Sequence, residues 1–150
     1  MKGQSLIEVL VALAIAIVVV TAITVTSLSS LNSAQYIRDQ DQASKYAQEG
    51  IEVVRAIRNN SYIGFRAYGG ATPYCLNEGE ASLSAGPCTT PNVSSKFVRS
   101  VLITLNGCAA NISRVTVTVA FTSGKCTTGT YCHTSRLVSC LTTINPVPAP

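Results

Sequence analysis

Charged and catalytic side chains are scarce in this sequence of 150 residues. Charged residues make up 12% of it, and Glu8 is the only one between positions 4 and 37. There is one histidine, His133, and the only aspartates are Asp39 and Asp41. No glycine-rich turn flanks a candidate serine, so the local signature of a Ser-His-Asp hydrolase is missing. The sequence therefore predicts neither an enzyme nor a cofactor.

The positive charge of the chain is also small. The net charge is +4, and the basic residues are spread along the sequence. A dedicated nucleic-acid-binding domain concentrates Lys and Arg on one face or along one helix. Composition therefore does not favour such a domain, and the length leaves room for one small domain after a hydrophobic segment.

Cysteine is abundant in the second half of the chain. An even number of cysteines downstream of an export segment is typical of disulfides formed outside the cytoplasm. In each of two candidate pairs, both cysteines lie in one connecting segment, and the earlier pair in the sequence is the best candidate disulfide. The remaining two cysteines can pair across a sheet. Spacing alone leaves the connectivity open. The disulfide candidates are Cys75 with Cys88, Cys126 with Cys132, and Cys108 with Cys140.

A hydrophobic segment begins almost at the first residue. Every residue from Val9 to Val20 is apolar, and no charge follows Glu8 until Arg38. This uncharged run is long enough for a helix that crosses a bilayer, which needs about 20 residues. A cleaved signal peptide is the alternative, because residues 20–22 resemble a small-residue cleavage site. Glu8 argues against it, since a carboxylate inside an apolar span costs roughly 2.5–3.5 kcal/mol on insertion scales.

The start of the chain resembles a known family. Gly3, the run Gln4-Ser5-Leu6-Ile7-Glu8 and the apolar residues 9–15 are similar to the class III leader and anchor of type IV pilins and type II secretion pseudopilins. The resemblance covers roughly residues 2 to 35. It implies that a prepilin peptidase removes residues 1–3 by cutting between Gly3 and Gln4 and methylates Gln4.

The resemblance also implies partners and a location. Residues 4–31 are expected to form a single-pass helix in the inner membrane, where the chain meets a membrane assembly platform. The same helix is then expected to join other pilin subunits in an extracellular or periplasmic filament. Glu8 is the expected assembly residue, because its carboxylate can pair with the N-terminal ammonium of its own or a neighbouring subunit. A favourable interaction with the helix dipole is the simpler explanation, worth about 0.3–1 kcal/mol.

The first mature residue and the composition of the anchor differ from those of major subunits of that family. Major pilins commonly begin with Phe and carry Gly or Pro in the anchor, whereas this chain begins its mature part with Gln4 and has neither residue up to Glu49. We therefore expect a minor subunit. Residues 21–30 are instead rich in Ser and Thr, whose hydroxyls can bond the helix backbone and weaken it.

Residues 32–58 are amphipathic. Apolar or small residues recur at spacings of three and four, which predicts a helix with one buried stripe. Gly50 lies on that stripe, where the lack of a side chain would let a sheet pack closely. The residues of the predicted stripe are Ala43, Ala47, Gly50, Ile51, Val54 and Ile57.

The remainder of the chain predicts a loop followed by a sheet. Residues 59–96 are rich in Gly, Pro, Ser and Thr and are expected to form a connecting loop. Residues 97–144 contain three segments typical of strands, at 97–105, 112–121 and 135–144, which suggest an antiparallel meander. Residues 145–150 form a Pro-rich tail that cannot extend a strand ladder. The predicted fold is α+β, pilin-like and disulfide-bearing, with a long N-terminal helix packed on a small C-terminal antiparallel sheet.

Two other functions stay open beside a pilin or pseudopilin subunit. One is an exported adhesin or DNA-capturing tip, and the other, less favoured, is a membrane-anchored enzyme. For DNA capture, the arginines offered as phosphate contacts are Arg55, Arg58, Arg66, Arg99 and Arg114.

A zinc site is a further alternative at the C-terminal cysteines. Cys126, Cys132, His133 and Cys140 are residue types that bind zinc. An exported chain with an even number of cysteines favours disulfides instead. We therefore predict no metal site.

Overall fold

The structure is a computed structural model that describes residues 3–86, 88–124, 126 and 130–142, with side chains from residue 6 onward. Residues 1–2 of the expected leader and the expected tail, 145–150, lie outside the described residues. The chain divides into two compact units, which we call the N-terminal unit (Met1–Ile37) and the head (Arg38–Pro150). The elements are α1 (Gly3–Asn60), α2 (Tyr62–Ala67), β1 (Tyr74–Cys75), β2 (Val98–Ala109), β3 (Ile112–Phe121) and β4 (His133–Thr142).

The sheet of the head is an antiparallel meander with the order β1-β2-β3-β4. Alternate residues of β3, from Val115 to Phe121, are fully buried, because a strand turns successive side chains to opposite faces. Val101 of β2 and Leu137 of β4 flank Val117 in the register. The meander of β2, β3 and β4 confirms the sequence prediction over the described residues, and residues 143–144 of the predicted last strand lie outside them. β2 continues to Ala109, four residues beyond the predicted end.

The part of α1 that lies in the head packs on this sheet. Ala43, Ala47, Ile51 and Val54 are buried at 3% exposure or less and belong to the same core as the β3 valines. A Cβ added at Gly50 would lie 2.9 Å from Cγ1 of Val117. The predicted stripe and the predicted close approach at Gly50 are therefore confirmed, and with them the α+β fold.

The connecting segment is more regular than predicted. Ser61 directly follows α1 and caps α2, because its side-chain oxygen accepts the Gly64 N–H at 3.0 Å. β1, only two residues long, adds a fourth strand beside β2. The prediction of an irregular loop over residues 59–96 is wrong at these two places, since a six-residue helix and a two-residue strand are too short to produce a periodic sequence pattern.

Three disulfides staple the head. Cys75–Cys88 closes a loop beside β1, and Cys126–Cys132 closes a second loop before β4. Cys108–Cys140 links β2 to β4 across β3. These are the two local pairs and the cross-sheet pair that the sequence suggested.

Candidate functional site

The surface of the N-terminal unit is apolar. Its large hydrophobic side chains from Leu6 to Leu31 are exposed by 51–67%. The helix is long and apolar enough to cross a membrane. A signal sequence near an N-terminus has the same length and composition. A helix that is apolar on all sides cannot remain solvated and needs lipid or other protein around it. This segment is therefore a membrane span, a signal or a packing surface.

Glu8 interrupts this apolar surface two residues after Leu6, the first described side chain. It is exposed and lies between Ile7 and Val9, which are exposed by 65% and 61%. No ion pair or hydrogen bond reaches Glu8 within the described part of the chain. A carboxylate in an apolar environment needs a cation or several hydrogen-bond donors to stay ionised. Glu8 is thus a strong hydrogen-bond acceptor at the start of the apolar part of α1.

The expected processing positions lie at the beginning of α1. The helix starts at Gly3, so the backbone of Gly3 and Gln4 is in its first turn, and their side chains are outside the described set. The expected cleavage between Gly3 and Gln4 and the methylation of Gln4 remain predictions.

The Ser- and Thr-rich stretch of the N-terminal unit bonds its own helix backbone. Thr21 and Thr24 donate to carbonyl oxygens one turn earlier, at 3.0 Å and 2.6 Å, and Thr26 and Ser27 do the same. These bonds satisfy hydroxyl groups that would otherwise be costly in lipid. The predicted local bonding is confirmed, and it makes the stretch compatible with an apolar environment.

Arg99 is the most deeply buried charged residue of the head. Its side chain has no exposed surface, and Nη1 lies 3.1 Å from Oε1 of Glu49. The remaining guanidinium N–H groups donate to the backbone oxygens of Leu76, Asn77 and Tyr46, at 3.1–3.2 Å. The fork of Arg thus joins α1 to the segment that follows β1.

This burial corrects one element of the sequence analysis. Arg99 was expected among the phosphate contacts of a DNA-capturing tip, and it cannot reach a ligand from the core. The alternation of β2 carries the signal that was missed, because Arg99 has the same parity as Phe97, Val101 and Ile103, all buried.

The other four proposed arginines stay at the surface. Arg55 is paired with Glu52 at 2.6 Å, and Arg58 bonds Asn59 and the carbonyl of Thr142. Arg66 is exposed on α2, and Arg114 is exposed on β3 and donates to the carbonyl of Gly107. These four lie on α1, α2 and β3, so the head does not gather them on one element.

Both aspartates of the chain are engaged in ion pairs. Asp41 lies 3.0 Å from the ammonium of Lys45, and Oδ1 of Asp39 lies 2.6 Å from that of Lys96. Burial by itself raises the pKa of Asp39, but hydrogen bonds from Lys96 and Ser123 and the charge of Lys96 outweigh it, so the pKa of Asp39 is lowered. These contacts hold the start of the head helix against the loops that precede β2 and follow β3.

The cysteine and histidine cluster has the composition of a metal site but the chemistry of a disulfide. The ligand atoms of Cys126, Cys132 and His133 lie within 4.8 Å of one another. The two sulfurs are bonded to each other, so neither is the thiolate that zinc requires. Nε2 of His133 lies 2.9 Å from the carbonyl oxygen of Ser123. Cys140, the fourth candidate, is bonded to Cys108.

Comparison of the chain with protein-family models, with curated proteins and with solved structures found no match. Among the described residues, Glu8 on its apolar helix surface is the most specific functional feature.

Proposed function

We propose that this chain is a structural subunit, a minor pilin or pseudopilin, of a type IV filament. In this proposal it waits in the inner membrane as a single-pass protein with its head outside the cytoplasm. A prepilin peptidase cuts after Gly3 and methylates Gln4, and the N-terminal helix then passes through a membrane assembly platform into the filament. The observation that carries the proposal is Glu8, alone on an exposed apolar helix, five residues after a glycine.

The Glu8 carboxylate needs a positively charged partner in an apolar environment. Lipid and apolar side chains offer none, and no charged residue lies between Glu8 and Arg38. Cleavage after Gly3 would create an ammonium group at Gln4, the nearest new cation. The same group on a neighbouring subunit offers an equivalent partner when apolar helices pack side by side. Removing one member of such a desolvated pair costs about 3–5 kcal/mol, which is enough to decide whether a subunit is incorporated.

The properties of the head agree with an exported subunit. Three disulfides require an oxidising compartment. The expected minor role follows from Gln4 as first mature residue and from the lack of Gly and Pro in the anchor. These features do not separate a pilus from a secretion pseudopilus, and the proposal covers both.

The test separates processing from assembly. Glu8→Gln is expected to be exported and cut normally yet to be depleted at least tenfold from the sheared filament fraction, because the pair with an ammonium is lost. Glu52→Gln is the matched control, since Glu52 is exposed on α1 in the head and its ion pair is a local one with Arg55. Normal incorporation of Glu8→Gln would refute the assembly role of this carboxylate.

A second variant tests the processing site. Gly3→Val is expected to accumulate as an uncut precursor in the membrane, because an extended leader with a bulky residue at the cut fits a protease groove poorly. Immunoblotting of membrane fractions distinguishes precursor from mature chain. Normal cleavage of Gly3→Val would contradict a prepilin-type site at this position.

A further inference from the structure

The pairing of β2 with β3 is interrupted near the end of β2. The register runs from Val98 to Thr104 and resumes at Ala109, so residues 105–108 have no partner on β3 in this register. Such a bulge leaves the regular ladder and changes the direction of the strand. Asn106 lies in the bulge, is exposed and has a φ of 54°. The fold therefore holds this asparagine at the surface in the left-handed region of the backbone, which asparagine tolerates better than most residues.

Asn106 is followed by Gly107, and no other Asn-Gly pair occurs in the sequence. An asparagine loses its side-chain ammonia when the backbone nitrogen of the next residue attacks Cγ, and glycine hinders this attack least because it has no Cβ. The bulge itself requires the glycine. A Cβ added at Gly107 would lie 2.8 Å from Cβ of Arg114 and 2.9 Å from the carbonyl oxygen of Thr104. Close packing thus keeps a reactive dipeptide at this position.

Two neighbouring groups lie where this attack develops negative charge. The backbone N–H of Asn111, between β2 and β3, donates to Oδ1 of Asn106 at 3.0 Å. Oδ1 carries the negative charge of the tetrahedral intermediate, and a fixed donor aimed at such an oxygen stabilises the transition state. The guanidinium of Arg114 donates to the carbonyl of Gly107, and its positive charge favours loss of the amide proton of Gly107. Both groups therefore assist the reaction.

Asn60 at the end of α1 has the opposite arrangement. It is also exposed, and it is followed by the small residue Ser61. The backbone nitrogen of Ser61 donates to the carbonyl oxygen of Ile57 at 2.9 Å, so that hydrogen bond must break before the nitrogen can attack Asn60. Asn60 is therefore an internal reference for an exposed asparagine in a regular hydrogen-bonded segment.

We propose that Asn106 is a site of spontaneous deamidation, assisted by the N–H of Asn111 and by Arg114. The nitrogen of Gly107 forms a bond to Cγ of Asn106, the bond from Cγ to Nδ2 breaks, and ammonia leaves with the proton of Gly107. Water then opens the resulting succinimide. Hydrolysis of the bond from the ring nitrogen to Cγ gives aspartate, and hydrolysis of its bond to the backbone carbonyl carbon gives isoaspartate.

The product has a carboxylate in a sheet that otherwise lacks one. No Asp or Glu follows Glu80 in the sequence, so β2, β3 and β4 contain no carboxylate before the reaction. The new negative charge lies on the residue before Gly107, whose carbonyl accepts from Arg114. The reaction belongs to the head and does not depend on processing at Gly3 or on Glu8. It can therefore fail independently of the proposed filament role.

The experiment incubates the full chain in an uncharged detergent at mildly alkaline pH and follows each asparagine by mass spectrometry of proteolytic peptides. In the folded chain Asn106 is expected to deamidate roughly tenfold faster than Asn60, or more. In urea with the disulfides reduced, this ratio is expected to fall at least about threefold, because the Asn111 donor is lost and the nitrogen of Ser61 is released.

Three variants accompany the wild-type chain. Asn106→Gln is expected to remove the acidic species that accumulates first, because a glutamine would have to form a larger ring. Asn60→Gln is the matched control and is expected to leave that species unchanged. Arg114→Gln is expected to slow deamidation of Asn106 about threefold at low salt and to leave Asn60 unaffected.

Two outcomes would overturn the proposal. If Asn106 reacts no faster than Asn60 in the folded chain, it is not a preferred site. If the ratio of the two rates is as large in urea as in the folded chain, the dipeptide alone determines the reaction and the fold does not assist it. An unchanged rate in Arg114→Gln would contradict the part assigned to this guanidinium.

Discussion

Replacing Gly50 by Ala tests the close packing of α1 on the sheet. The added Cβ would lie 2.9 Å from Cγ1 and 3.4 Å from Cγ2 of Val117. Val117 cannot move away easily, because it is fully buried on a strand paired on both sides and its branched side chain has a restricted χ1. Overpacking of this kind costs about 1–3 kcal/mol, whereas Gly to Ala in a helix gains about 1 kcal/mol. We expect a net loss of about 1 kcal/mol.

The assay is urea unfolding of the full chain in an uncharged detergent with the disulfides intact, followed by the near-ultraviolet signal of the partly buried tyrosines of the head. Ala56→Gly, at an exposed position of α1, calibrates the helix propensity and is expected to cost about 1 kcal/mol. In a Val117→Ala background the contact is removed, so Gly50→Ala should become stabilising by about 1 kcal/mol. The reasoning is refuted if Gly50→Ala stabilises the wild-type chain, or if its effect is the same in both backgrounds.

Two further predictions concern charges of the head. Because the pKa of Asp39 is lowered, its contribution to stability is complete above its unfolded pKa of about 3.9 and is lost as the pH falls through its folded pKa. Between pH 7 and pH 3, the free energy of unfolding measured in urea titrations should therefore fall less for Asp39→Asn than for wild type. An equal fall in both proteins would contradict the role of the ion pair between Asp39 and Lys96. Arg99→Ala is expected to cost about 3–5 kcal/mol, since buried backbone acceptors lose a charged donor. Arg99→Lys should recover only part of this, because an ammonium cannot reproduce the guanidinium fork, and full recovery in thermal unfolding would argue against the fork geometry.

The fold could largely be predicted from periodic patterns in the sequence. The stripe through Ala43, Ala47 and Ile51 and the alternation from Val115 to Phe121 each extend over several repeats, so the helix and the central strand followed directly. β1 is only two residues long, and its pairing depends on β2 rather than on its own sequence. Such tertiary pairings leave no local signal.

Glu8 and Arg99 differ in how far the sequence alone could reveal their positions. Glu8 was evident, because a carboxylate in an apolar run stands out without any structure. Arg99 was offered as a phosphate contact, although the parity of β2 places it in the core.

The central claim is that this chain is processed and assembled as a pilin-like subunit, and the mature N-terminus tests it most directly. Mass spectrometry of the chain from a sheared filament fraction should find it beginning at Gln4, with a methyl group on the new amine. A chain that begins at Ile23 would indicate a signal peptide cleaved after Ala22. That result would remove Glu8 from the mature protein and contradict the account.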